Sequence, residues 1–282
     1  MPILWSKNIR QVAMNKRLEI SLFIILLCLA FISIVNAGDY KVNTNAQPYI
    51  LQKLKTHHIV FLGTTHKKPA ILKFLSELIP ALHDAGVTHI GMEIAFDQQT
   101  RIDKFIQTGK KLANIQIHSQ IDCPEYRNLL MKLATLEPNI RPKIIALDLP
   151  TSKYRGKISR DKWMAGSIMQ VFHKNPKPKM LVVVGNLHAL KVLNWKDKVS
   201  NQHKSIYEHL KSMTPEFRIF TISQLIDENP KECDFTAVFG PVNGSVVIDC
   251  DNKFDGWKFG PASTIAIKPT EACDLVDGII VY

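Results

Sequence analysis

The segment "MLVVVGNLHAL" (residues 180–190) places glycine and histidine directly after a run of residues typical of a buried β-strand. A second segment, "HIVFLGTTHKK" (residues 58–68), ends in the same way, with Gly-x-x-His after apolar residues. Glycine weakens a strand and histidine is costly to bury, so core packing alone explains neither residue. We interpret the two segments as two walls of one polar site.

Strand-like and helix-like patterns alternate along the chain after a short lead-in at 38–56. The predicted strands are 58–63, 87–95, 143–150, 179–185 and 217–226. The predicted helices are 69–86, 97–109, 125–137, 159–175 and 202–213. Short strand-like pieces follow in the last third, namely FTAVFG, SVVID and DGIIVY. The pattern predicts a single α/β domain over 38–282, with a mostly parallel sheet flanked by helices and additional short strands in its C-terminal third.

The first 37 residues have the order of a secretory signal peptide. Four basic residues precede the apolar segment SLFIILLCLAFISIV, and Ala37 is the last residue before the predicted cleavage site. Translation from Met14 would keep this signal. An uncleaved signal anchor is the alternative, although the segment is shorter than the roughly 20 residues that span a bilayer. In either case we expect an exported protein, periplasmic or secreted. It would contact the membrane only through the signal segment, and only if that segment is not cleaved.

The cysteine pattern fits an oxidising compartment. Cleavage leaves an even number of cysteines, so two disulfides are expected, with three alternative connectivities. These cysteines are Cys123, Cys233, Cys250 and Cys273. The sequence contains no Cys-x-x-Cys pair, which disfavours a zinc ribbon or a thioredoxin-type centre.

The charge of the chain is positive but scattered. The first 37 residues contain four Lys or Arg and one acid, so the remainder carries +8 of the net charge of +11. This excess favours anionic partners such as envelope surfaces or carboxylate ligands. Because no basic run is interleaved with aromatic residues, we expect no nucleic-acid partner.

Polar residues stand at the ends of four predicted strands. His66, Glu93, Asp148 and His188 follow or end the first, second, third and fourth strands. In an open parallel sheet these ends lie at one edge, where ligand crevices form. We therefore expect the tips of the first, second and fourth strands to be neighbours. Asp148 has an alternative interpretation as a turn residue before Leu-Pro.

Arg160 and Asp161 open the helix after the third strand and are expected at the same edge, where Arg160 anchors an anionic ligand or holds Glu93. The alternative is that Arg160 and Asp161 only start a helix, with Asp161 favourable to the helix dipole. His66, Glu93 and His188 are a sufficient ligand set for a divalent metal ion with an open position. Direct acid–base chemistry, with one histidine as general base for water, is the other prediction from the same residues.

Four segments together resemble a known superfamily: GTTH, GMEIAFDQQTRIDKFIQTG, SRDKWMA and VVVGNLHA. The superfamily joins the erythromycin esterase-like proteins, the ChaN-type haem-binding lipoproteins, the TraB/PrgY proteins and the Tiki metalloproteases, and the resemblance covers residues 57–195. It implies an α/β fold with a site at His66, Glu93 and His188, and with Arg160 at the Arg of an Arg-(Asp/Asn)-x-x-Met-Ala segment. Thr64 stands where esterase-like and ChaN-like members usually have an acidic residue, which is more similar to the TraB and Tiki versions.

Three functions remain as alternatives. The first is an exported hydrolase, esterase or metalloprotease-like, that acts on a small-molecule or peptide substrate. The second is a ChaN-like haem or iron-compound binding protein of the cell envelope, in which a His or Tyr ligates iron. The third is an inhibitor or partner-binding module that kept the fold. The intact His/Glu/His set favours chemistry over the third function, and neither the substrate nor the oligomeric state follows from the sequence.

Overall fold

A seven-stranded sheet organises the chain in a computed structural model that describes residues 45–154, 158–174, 177–193, 203–225, 244–250, 258–259 and 270–282. The strands are β1 (Ile59–Thr64), β2 (His89–Ala95), β3 (Lys143–Asp148), β4 (Met180–Gly185), β5 (Ile219–Leu225), β6 (Val246–Asp249), β7 (Lys258–Phe259), β8 (Thr270–Glu271) and β9 (Gly278–Val281). The sheet has the order β3-β2-β4-β1-β5-β9-β6, and β7 and β8 form a separate pair. Only the β6–β9 pairing of this sheet is antiparallel within the described residues. The predicted fold class is confirmed.

The helices follow the predicted alternation. They are α1 (Ala46–Thr56), α2 (Pro69–Leu78), α3 (Gln99–Thr108), α4 (Pro124–Thr135), α5 (Arg160–Lys174), α6 (Ile206–Met213) and α7 (Ala272–Leu275). None of these helices has the length and apolar character needed to cross a membrane. The predicted signal at 1–37 and the strand-like piece FTAVFG lie outside the described residues.

Two helix predictions need correction. The lead-in contains α1, whose buried residues Ala46, Tyr49, Ile50 and Leu54 recur at helical spacing. The helix predicted over 69–86 ends early as an α-helix, at Leu78. A 3₁₀ turn containing Pro80 follows, because proline lacks the N–H that a continuing helix requires.

Helices cover both faces of the sheet, so the central strands are buried throughout. On one face, Val60 and Leu62 of β1 pack into the cluster that contains α1, α2 and α4. On the other face, Ile59 and Phe61 pack against α5 and α6. This second face is where the residues after β4 meet the start of α5.

The strand register sets the two Gly-x-x-His motifs side by side. β1 and β4 pair from Ile59 with Met180 to Thr64 with Gly185. β2 flanks the other side of β4, so the tips of the first, second and fourth predicted strands are neighbours, as expected. The register of the β2–β3 pairing shifts between Met92 and Ala95, and Glu93 lies within this irregular segment. Such irregularities re-aim side chains and are common beside active sites.

One disulfide is present in the described residues. Cys250 and Cys273 are bonded, which is one of the pairs that the sequence left open. Cys123 is a free thiol, so the expected second bridge is not formed by this residue. Cys233 lies outside the described residues.

Candidate functional site

Glu93 is the centre of the site and is only 8% exposed. Its Oε1 accepts a hydrogen bond from Arg160 Nη2 at 2.7 Å, and its Oε2 accepts one from the backbone N–H of Gly185 at 2.8 Å. Burial raises the pKa of the Glu93 carboxyl, but the positive charges of His188 and Arg160 and the Gly185 N–H outweigh it and leave the pKa below its ordinary value. Glu93 is therefore an ionised carboxylate at neutral pH.

Arg160 joins Glu93 to Asp148. Its Nε donates to Asp148 Oδ1 at 2.9 Å and its Nη2 donates to Asp148 Oδ2 at 2.6 Å, a bidentate arrangement. The Tyr154 hydroxyl also donates to Asp148 Oδ2. Burial raises the pKa of Tyr154, and this hydrogen bond raises it further. Burial opposes ionisation of Asp148, but the hydrogen bonds from Arg160 and Tyr154 leave its pKa lowered. Of the two roles expected for Arg160, the structure shows the contact with Glu93.

His188 lies in the 3₁₀ turn that follows β4, with its side chain 14% exposed. Its Nδ1 is 2.5 Å from Asp161 Oδ1, whereas its Nε2 is 3.7 Å from Glu93 Oε1, too long for a direct hydrogen bond. Burial lowers the pKa of His188, but the hydrogen bond and charge of Asp161, with the charge of Glu93, raise it overall. His188 therefore favours the protonated, positively charged form.

Asp161 is a site residue to which the sequence gave no role. It was expected at this edge with Arg160, or else as a residue favourable to the helix dipole, and in the structure it is the partner of His188. The available signal was its position in the first turn of α5, next to Arg160.

His66 follows β1 and is solvent-exposed at the sheet edge. A methyl group placed on Gly185 would lie 2.8 Å from His66 Cε1 and 3.5 Å from Glu93 Oε2. The ring of His66 therefore approaches the backbone where only glycine fits. Partial burial lowers the pKa of His66 more than the charge of Glu93 raises it, so the imidazole is neutral at neutral pH. This close approach explains why a strand of buried residues ends in glycine here.

Asn186 fixes the turn that carries His188. Its Nδ2 donates to the Gln224 carbonyl at 2.8 Å, and its Oδ1 accepts from Ser223 Oγ at 2.8 Å. A methyl group on Gly63 would lie 2.5 Å from Asn186 Oδ1, so the glycine of the first motif makes room for the asparagine of the second. This packing of Asn186 against Gly63 was not predicted, although Asn186 stands inside the second Gly-x-x-His motif.

Histidines outside the two motifs were interpreted as surface or core residues. They are His57, His58, His83, His89, His118, His173, His203 and His209. His118 is closer to the site than expected, because its ring stacks on Tyr154 with centroids 6.1 Å apart.

The arrangement predicts the effect of replacing Gly185 with alanine. The new methyl group would displace the ring of His66, which is exposed and can move, so the free energy of unfolding should change by about 1 kcal/mol or less. We expect kcat/KM to fall while the free energy of unfolding changes little, because the added methyl group clashes with His66. Urea unfolding and steady-state kinetics measure the two effects. For the free energy of unfolding, the control is Gly166→Ala, because a methyl group there meets no described atom within 4 Å.

The metal role predicted for His66, Glu93 and His188 does not fit this arrangement. The described residues contain no group of three potential ligands placed to hold a metal ion. Both Glu93 oxygens already accept hydrogen bonds, from Arg160 Nη2 and from the Gly185 N–H. The Arg160 guanidinium would repel a divalent cation beside Glu93. No chemical step is therefore assigned to a metal.

Haem ligation fits these residues poorly as well. An axial histidine or tyrosinate needs an apolar slot, whereas the charged neighbours of His66 are Glu93, His188 and Arg160. The Tyr154 hydroxyl is bound to Asp148, and its raised pKa disfavours the phenolate.

The fold and site define an α/β protein with a charged His/Glu/His/Arg centre at the carboxyl edge of a parallel sheet. The sequence matches no family model and no curated protein. The structure is similar to a mutant of the erythromycin esterase EreC in its open conformation, with a TM-score of 0.64, 10% identity, and 85% of this chain and 93% of that chain covered.

Two further solved structures share the fold. A succinoglycan biosynthesis protein matches with a TM-score of 0.61 and 12% identity, over 83% of this chain and 89% of that chain. A protein from Bacillus cereus matches with a TM-score of 0.58 and 12% identity, over 84% of this chain and 92% of that chain. These similarities confirm the α/β fold that the resemblance to the erythromycin esterase-like superfamily implied.

Proposed function

We propose that this protein is an exported hydrolase that cleaves an acyl bond of a small-molecule or peptide substrate by direct acid–base chemistry. The observation that carries the proposal is the contrast between two histidines beside one carboxylate, whose surroundings shift their pKa values in opposite directions. His66 is exposed and favours the neutral form, whereas His188 is held by Asp161 and favours the protonated form. Titratable groups whose pKa values are pushed apart in one site are typical of a general base and a general acid.

Each residue has a distinct role in the proposed reaction. Neutral His66 accepts a proton from water, and the water oxygen attacks the carbonyl carbon of the substrate. When the tetrahedral intermediate collapses, the bond to the leaving group breaks and His188 Nε2 supplies its proton. The negative charge of Glu93 stabilises the imidazolium that forms at His66. Exchange of protons with solvent then restores both histidines.

Arg160 and Asp161 are positioning residues in this scheme. Arg160 keeps Glu93 and Asp148 ionised, which maintains a fixed negative charge between the histidines. Asp161 orients His188 through Nδ1 and leaves Nε2 as the atom that faces the substrate side.

The proposal predicts a bell-shaped dependence of kcat/KM on pH. The acid limb reports protonation of His66, whose pKa lies below the ordinary value of 6.5. The alkaline limb reports deprotonation of His188, whose pKa lies above 6.5. Asp161→Asn removes the charge that raises the pKa of His188, so the alkaline limb should move to lower pH while the acid limb stays in place. A parallel shift of both limbs would contradict this assignment.

A hydrolase panel tests the proposed activity. The oxidised protein, without residues 1–37, is incubated with fluorogenic esters and peptides in the presence and absence of EDTA. We expect hydrolysis that EDTA does not reduce. Activity that EDTA abolishes and zinc or manganese restores would overturn the metal-independent mechanism, and absence of hydrolysis across the panel would overturn the hydrolase proposal.

Export is part of the proposal. The predicted signal at 1–37 supports it, and so does the disulfide between Cys250 and Cys273, because disulfides persist in oxidising compartments. Fractionation of cells that express the full chain, with N-terminal sequencing of the product, tests both export and cleavage after Ala37.

A further inference from the structure

A groove runs along one side of α5, outside the acid–base centre. It has a volume of about 640 Å³, and its lining includes Phe96, Ile158, Lys162, Trp163, Gly166 and Gln170. Phe96 and Ile158 are 39% and 43% exposed, and the rings of Phe96 and Trp163 meet edge to face with centroids 5.9 Å apart. Large apolar side chains grouped in one exposed concave surface indicate a binding site more strongly than scattered ones do.

Gly166 forms part of the groove in the interior of α5. Glycine in a helix interior is less favourable than alanine. A methyl group at Gly166 would have no described heavy atom within 4 Å, so packing does not require glycine at this position. The missing side chain widens the groove at the expense of helix stability.

Two lysines give the groove a positive rim. Lys162 lines it, and Lys153 Nζ lies 4.7 Å from the centroid of the Trp163 ring. Neither lysine forms an ion pair with an acidic residue in the part of the chain that the structure describes. An apolar ligand that carries an anionic group complements the apolar lining and the two lysines.

The neighbouring edge of the sheet disfavours an added peptide strand. Gln99 Nε2 donates to the Ile144 carbonyl at 2.9 Å, and Gln99 Oε1 accepts from the Ala146 N–H at 2.7 Å. The side chain of Gln99 thus occupies backbone groups of edge strand β3 that an extended peptide would need. A small amphiphile fits this surface better than a peptide in β-conformation.

We propose that the groove binds an anionic amphiphile, an aliphatic chain or aromatic ring that carries a carboxylate, as the apolar part of the substrate. Ser159 lines the groove and directly precedes Arg160, so a ligand in the groove reaches the first turn of α5, where Arg160 and Asp161 enter the site. This assignment of substrate class rests on the hydrolase function proposed above.

Fluorescence titration with a dansyl-labelled long-chain carboxylate tests the groove directly. We expect saturable binding that is about tenfold tighter for the carboxylate than for its methyl ester. Gly166→Leu should weaken binding at least about tenfold. Gly166→Ala should weaken it less, while it raises the thermal midpoint by about 2 °C through improved helix propensity. Combined Lys153→Met and Lys162→Met should remove the preference for the carboxylate.

Two substitutions serve as matched controls. His173→Leu changes an exposed residue of α5 outside the groove lining, and Lys73→Met removes an exposed lysine from α2. Both variants should bind the carboxylate as the wild type does.

The outcomes separate this proposal from the hydrolase function. Wild-type affinity in the Gly166→Leu variant, or no saturable binding to the wild-type protein, overturns the groove proposal even if hydrolysis is observed. Saturable binding that Gly166→Leu abolishes, in a protein that hydrolyses no substrate of the ester and peptide panel, supports the binding site and overturns the hydrolase function instead.

Discussion

Replacement of His66 by glutamine is expected to lower kcat by about a thousandfold, within the range that a general base contributes. Glutamine keeps a polar side chain of similar reach but cannot accept a proton from water. His66 is solvent-exposed and its ring lies against Gly185, so the substitution removes little buried contact. Steady-state kinetics on the best ester or peptide of the panel measures the loss. The free energy of unfolding, from urea denaturation, should change by less than about 1 kcal/mol.

The matched control is His83→Gln. His83 is also exposed, and it lies between the 3₁₀ turn after α2 and β2, outside the candidate site. We expect this variant to retain wild-type kcat and KM. If His66→Gln also retained wild-type kcat, the general-base assignment would be wrong, and His188 would be the remaining histidine of the site to test.

The convergence of the site was predictable because it depends on periodicity and topology. Each of the first four predicted strands ended in a polar residue, and parallel strands present their carboxyl ends at one edge. The order β2-β4-β1 then brings His66, Glu93 and His188 together. Gly63 and Gly185 also predicted the site, because each stands where a side chain comes too close to the backbone for a methyl group. That side chain is Asn186 at Gly63 and His66 at Gly185.

The partners of these residues were not predictable in the same way. Asp161 resembles any acidic residue in the first turn of a helix, and only the packing of α5 beside the turn after β4 pairs it with His188. The bonds of Asn186 to Ser223 and Gln224 join segments far apart in sequence. Side-chain partners of this kind depend on the tertiary arrangement and leave no periodic pattern in the sequence.

The metal prediction had a related weakness. Two histidines and a glutamate are equally suited to ligate a metal or to move protons, so residue types alone do not separate the two chemistries. The position of Arg160 decides between them, because its guanidinium contacts the carboxylate that a metal would need. The sequence offered Arg160 as a partner of Glu93 but did not exclude the metal. In the structure Arg160 Nη2 lies 2.7 Å from Glu93 Oε1, and the described residues contain no metal site.

The second large effect is expected from Arg160→Met, which leaves two buried carboxylates without their guanidinium partner. Removing one member of a buried ion pair costs about 3–5 kcal/mol. Asp148 is 1% exposed at its side chain and Glu93 is 10% exposed, but the Arg160 side chain is 34% exposed. Solvent screening at Arg160 therefore places the expected loss of unfolding free energy near the lower limit, at about 3 kcal/mol.

The pH dependence of this loss identifies its cause. In the wild type the pKa values of Glu93 and Asp148 are lowered, so their contribution to stability is present above the unfolded pKa values of about 4 and disappears as pH falls through the lowered folded values. Without Arg160 the folded pKa values rise, and protonation relieves the buried charges. The difference in unfolding free energy between wild type and variant should therefore narrow from pH 7 to pH 5.

Urea denaturation of the oxidised protein at both pH values measures the difference. Arg127→Met is the control, because the ion pair of Arg127 with Asp122 has side chains 28% and 30% exposed and should contribute about 1 kcal/mol or less. An equal loss at pH 7 and pH 5, or a loss no greater than that of Arg127→Met, would show that Arg160 does not stabilise the buried carboxylates. The narrowing with pH separates this electrostatic role from simple packing of the arginine side chain, which would be lost equally at both pH values.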